Sequence, residues 1–149
     1  MDYEQYEAAV KEIEKANERH LKTFKKWLEG KKFTEKTINS HINNVEFYIN
    51  DYLNYYDAQD VKSGCSCIGG FLGDFFIRKA GWSSVAQIKA NAASIKKFYA
   101  CMSEQGVIKE EKYRNLCEEI KEGMEGWLED MRRYEERLNE IDMFEDLLD

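Results

Sequence analysis

The chain of 149 residues contains no proline. Proline fixes φ and withholds a backbone N–H, so its absence removes the usual interruption of helix interiors and points to long helices. Long apolar runs are missing too: nothing approaches the ~20 residues of a bilayer span. The opening Met1-Asp2-Tyr3-Glu4 is acidic where a secretory leader is basic and then apolar, so the cytoplasm is the expected location and no membrane partner is expected. Histidine is scarce, with only His20 and His41, and cysteine is limited to Cys65, Cys67, Cys101 and Cys117. In a chain with a sizeable core these are expected to be reduced structural thiols. A zinc site is the alternative, but Cys65-Ser66-Cys67 is tighter than the usual ligand pair and nothing in the sequence brings the histidines close. No metal and no cofactor are therefore expected. A strand followed by a phosphate-cradling glycine loop is also lacking. Nine tyrosines are present, but a tyrosine nucleophile needs cations arranged around a scissile phosphate, and no second domain supplies them. Catalysis by this chain is not expected.

What remains is 43% hydrophobic and 34% charged, the composition of one soluble globular domain. Helical spacing dominates. Apolar residues recur from Tyr3 through Val10, Ile13, Leu21, Phe24, Trp27 and Leu28 to a stop at Gly30, as one long helix or two abutting ones. Thr34 is placed to cap a second helix with Ile38, Ile42, Val45, Ile49, Tyr52 and Leu53 inward. Residues 57–64 read as a surface loop, with Ser63 or Ser66 as the cap of the next helix. A third helix carries Ile68, Phe71, Leu72, Phe75, Phe76 and Ile77, and its Gly69, Gly70 and Gly73 either weaken it or permit close packing. A fourth starts after Ser83 or Ser84 and ends at Gly106. From Tyr113 to Ile141 the apolar steps alternate between four and three, a heptad seam in which Gly123 and Gly126 can kink or interrupt the helix. That seam is expected to pack on the N-terminal helix, or alternatively to form a homodimeric coiled coil. The expected fold is an all-α bundle of four to five helices in a single domain, with an extension at 1–18, a core bundle at 19–108 and an acidic C-terminal helix at 109–149.

Charge is segregated. The net charge is −7, yet residues 19–45 hold seven Lys/Arg against two Glu, and residues 78–114 hold eight against three. The cations and short polar side chains predicted to face outward are Lys31, Lys32, Lys36, Thr37 and His41 from the first block, with Lys89, Asn91, Lys96 and Lys97 from the second. Such residues suit phosphate oxygens if the two blocks converge, and are otherwise solvated faces.

The core residues and caps resemble a known family. Phe24-x-x-Trp27-Leu28, then Phe33-Thr34-x-x-Thr37-Ile38, is similar to the opening of the core-binding domain of tyrosine recombinases and phage integrases. Ile68-x-x-Phe71-Leu72, Gly81-Trp82-Ser83-Ser84, and then Ile88, Ala93, Ile95, Phe98-Tyr99 and Gly106-Val107-Ile108 resemble its second half. The resemblance covers roughly residues 19–108. It implies a SAM-like orthogonal bundle forming one arm of a clamp on double-stranded DNA, with the nominated side chains of the second and fourth helices facing the duplex. The family continues with Asn-Pro and a catalytic domain, whereas Lys109-Glu110-Glu111 stands at that place here and 41 residues remain after Ile108. The resemblance thus implies a noncatalytic DNA-binding domain; a recombinase, or a second copy through the C-terminal helix, is the further expected partner. The alternative is a helical interaction module dimerising through its C-terminal helix.

Overall fold

The computed structural model describes residues 2–148, which form helices, turns and loops with no strand among them. The first helix, α1 (Tyr3–Gly30), is continuous. Asp2 caps it: its carboxylate accepts the Gln5 N–H at 2.8 Å while Gln5 Oε1 accepts the Asp2 N–H at 3.1 Å. This reciprocal box satisfies two otherwise orphaned donors. The helix ends at Gly30 as expected, but the left-handed residue that turns the chain is Lys32, which holds φ at 63°. A side chain in that left-handed region costs roughly 1–2 kcal/mol. Lys32→Gly is therefore expected to raise the unfolding free energy by about 1 kcal/mol in a urea melt.

The second helix, α2, comprises Glu35–Glu46 and a widened π turn at Phe47–Tyr52. Thr34 caps it as expected, accepting the Thr37 N–H at 3.2 Å. The π turn is anchored from α1. The buried Asn17 donates through Nδ2 to Ile49 O at 3.2 Å and to Asn50 Oδ1 at 2.8 Å, and Tyr6 donates its hydroxyl to Asn54 O.

The segment read as a surface loop is partly embedded. Val61 and Gly64 are buried, and each carbonyl accepts a hydroxyl at 2.7 Å, Val61 O from Tyr99 and Gly64 O from Tyr48. Tyr99→Phe would strand the Val61 carbonyl in the core, and the expected cost is about 1–3 kcal/mol in the same melt. Neither Ser63 nor Ser66 caps the next helix, because both belong to a short 3₁₀ turn, Ser63–Ser66, and the helix after it starts at Ile68 without a side-chain cap.

The third helix, α3 (68–79), joins Ile68–Gly70 and Phe76–Lys79 through a π turn at Phe71–Phe75. The fourth, α4 (Val85–Glu104), is capped by Ser84 and leads to Gly106 with φ at 74°. The fifth, α5 (Glu110–Leu148), runs for 39 residues through Gly123 and Gly126 without a break. At 1.5 Å per residue it is about 58 Å long.

Among the described residues the architecture is thus the expected all-α bundle with a long last helix, but that helix has a different main partner. Instead of lying chiefly along α1, α5 packs on α4 and α3. The reason is that α1 is already committed: Phe24 sets its ring edge-on to Phe98 of α4 at 5.3 Å, and the chain beyond Leu28 leads directly into α2. The α5 seam instead buries Leu116, Ile120, Trp127 and Met131. Gly73 of α3 makes room for Trp127, since a Cβ there would stand 2.8 Å from the indole Cδ1. No helix among the described residues is long and apolar enough to cross a membrane.

Candidate nucleic-acid interface

The two basic blocks border one pair of helices. His41 meets Ser94 and Phe33 meets Lys97, while Phe47 at the far end of α2 packs on Trp82 just ahead of α4. Helices α2 and α4 therefore run antiparallel, with the start of α2 beside the second half of α4. Lys97 of the second block therefore lies beside Phe33 of the first.

A polar cluster sits inside that seam. Ser94 is fully buried, and its hydroxyl donates to Ala90 O at 3.0 Å. Its lone pairs then accept Asn44 Nδ2 at 3.0 Å and the Nδ1–H of His41 at 2.7 Å. With the proton on Nδ1, the Nε2 of His41 is left as the acceptor. The Phe33 ring packs edge-on against His41 at 5.9 Å, and Lys97 Nζ lies 6.0 Å from the same ring. Burial holds the His41 pKa below its usual value, and the neighbouring Lys97 charge lowers it further. His20, on α1, is lowered chiefly by burial and then by Arg19, against a raising effect of Asp60.

Both histidines are therefore neutral in the fold at neutral pH. Below about pH 6.5 the unfolded chain takes up protons that the folded chain refuses, so stability must fall with acidification. The midpoint of thermal unfolding is expected to drop between about pH 7.5 and about pH 5.5, across the ordinary histidine range. Combined His20→Gln and His41→Gln substitution should flatten that histidine-linked dependence.

The other nominated side chains divide into three groups. Lys31, Lys32, Lys36, Lys89 and Lys96 are exposed. Among the described residues none of these five, nor Lys97, forms an ion pair. Lys31 lies over the Trp27 ring at 5.0 Å, and that indole N–H donates to Glu104 Oε2 at 2.5 Å, which ties the middle of the first basic block to the end of α4. Lys89 and Lys96, two helical turns apart, stand on the outer side of α4, away from the His41–Ser94 seam. Thr37 is half-buried, and its Oγ1 accepts the hydroxyl of Thr34, so it belongs to the cap.

Asn91 requires correction. It is 1% exposed, and its Nδ2 donates to Gln87 O at 2.8 Å, so it is not available to a partner. The buried face of α4 includes positions 91 and 94 and is wider than the stripe of Ile88, Ala92, Ile95 and Tyr99 suggests. The apolar pattern does not single out Asn44 or Ser94, although the His41-x-x-Asn44 spacing puts both residues on one helical face. Phe33 has a signal of its own as the aromatic residue between two lysines and a cap. The four cysteines are free, and burial pushes the thiols of Cys65 and Cys101 up to about 11, which keeps them protonated at neutral pH.

Comparisons with protein-family models, curated proteins and solved structures return no match.

Proposed function

We propose that the chain is a noncatalytic module that binds the phosphate backbone of double-stranded DNA through the outer edge of the α2–α4 pair, in the manner of the recombinase core-binding domains it resembles. One observation carries this reading: exposed lysines from two distant stretches border the same antiparallel helix pair without acidic partners among the described residues. A lysine left unpaired on a rigid helix is ready to displace counterions from phosphate, which is the main source of sequence-independent affinity. The net charge of −7 does not oppose it, because residues 115–149 alone hold thirteen acids against four cations.

Fluorescence anisotropy of a labelled duplex, titrated with the full chain over a range of salt concentrations, tests the reading. Affinity should fall steeply and linearly on a log–log plot against salt. Affinity indifferent to salt, or no binding at low salt, rules the proposal out.

A further inference from the structure

The far end of α5 is a helix without a body to pack on. Every described residue from Glu136 onward is exposed, and an isolated helix of this length is marginal in water. It nevertheless displays Leu138, Ile141, Met143, Phe144, Leu147 and Leu148, with 63% of Phe144 and 83% of Leu147 exposed. So concentrated an apolar set marks a contact surface. Ile141, Phe144 and Leu148 succeed one another at steps of three and four, and the face they share runs back along the helix to Tyr134 and Arg137.

Charge selects the occupant. Residues 138–149 contain five acids and no cation, whereas the stretch just before sets Arg132, Arg133 and Arg137 among Glu129, Asp130, Glu135 and Glu136, so the last cations of the helix lie there. At that stretch a groove of about 320 Å³ opens between α3 and α5, walled by Gly73, Ile77 and Arg78 on one side and by Arg133, Tyr134 and Arg137 on the other. Asp74 and Asp130 also line it, leaving three guanidiniums against two carboxylates. Asp74 is held by Arg78 at 2.7 and 2.9 Å, and Arg133 pairs with Glu129, but Arg137 forms no ion pair among the described residues.

We infer that this groove receives the acidic, apolar end of α5 from a second copy of the chain, in an antiparallel pair. A parallel pair sets acidic end against acidic end. The antiparallel arrangement lays Ile141, Phe144 and Leu148 over Ile77 and Tyr134, and brings Glu140 and Glu145 towards Arg78, Arg133 and Arg137. Each copy contributes one end and one groove, so the two-fold relation closes at two chains. The overlap of residues 130–148 is about 28 Å long. This inference rests on a different surface from the DNA reading and stands or falls separately.

Sedimentation equilibrium of the full chain without DNA tests it, with circular dichroism confirming that each variant keeps its helix content. The wild-type chain should be a dimer at micromolar concentration. Arg133→Glu with Arg137→Glu, or separately Glu140→Arg with Glu145→Arg, should weaken association about tenfold or more. Mixing the two double variants, or combining all four changes in one chain, should restore it. A monomeric wild-type chain overturns the inference, as does a dimer that either reversal leaves intact.

Discussion

Trp127→Ala is expected to cost about 3–5 kcal/mol of stability, the range for emptying a large aromatic from a core. In a domain of this size that lowers the unfolding midpoint by on the order of 10 °C. The indole is the key between α3 and α5: it is buried, and both helices carry a glycine where it lies. A Cβ on Gly73 would stand 2.8 Å from it, and one on Gly123 would stand closer still. Two substitutions on the same helix are therefore expected to have opposite signs. Gly→Ala in a helix ordinarily gains about 0.5–1 kcal/mol. Gly126, with nothing within 4 Å of its would-be Cβ, should show that gain, whereas Gly123→Ala must displace the indole and should destabilise. Urea melts of the three variants check the account; a stabilising Gly123→Ala would show that the indole is not held where the packing places it.

Reversing Lys36, Lys89 and Lys96 together to glutamate is expected to reduce affinity for duplex DNA about 100-fold at low salt and to make the log–log salt slope shallower by about 2.7. All three are exposed and lack ion-pair partners among the described residues, so the fold should tolerate the change. The slope is the more informative quantity. Loss of affinity alone arises in any misfolded variant, but a change in the number of released counterions reports which cations meet phosphate. Lys121→Glu with Arg132→Glu provides the control: both residues are exposed on α5 outside the groove, and the change should leave the slope much closer to that of the wild-type chain.

Helix content, most of the core and the caps of α2 and α4, though not that of α3, were legible from residue spacing. Thr34 and Ser84, the latter one of two serines expected at that place, cap their helices, because a short polar side chain ahead of a periodic apolar stretch meets a specific need of the first helical turn. Ile38, Val45, Ile88, Ile95, Trp127 and Met131 are buried because the period that lines up an apolar stripe also identifies it. The partner of a stripe is a different matter. The α5 seam has the same rhythm over Ile120 and Trp127, which the bundle covers, as over Leu138 and Ile141, which it does not.

Asn91 shows a second limit. A helix packed on more than one neighbour buries a wider arc than its apolar residues define, and a side chain that bonds to the carbonyl one turn back is comfortable there. The π turns and the left-handed Lys32 left no mark in the spacing. They depend on bonds made from elsewhere, such as Asn17 to Ile49 O, or on the path between two packed helices. Of the candidate site, the two cationic blocks could be read directly, whereas the packing of α2 on α4, which sets Lys97 beside Phe33, depends on which helices pair, and local sequence does not encode that.

Amide chemical-shift mapping of the full, isotopically labelled chain titrated with an unlabelled duplex tests the proposed grip most directly. Perturbations should concentrate at residues 31–41 and along the outer side of α4 around Lys89, Lys96 and Lys97, and should disappear as salt is raised. Shifts confined to the arginine-rimmed groove between α3 and α5, or none in the α2–α4 pair, would contradict it.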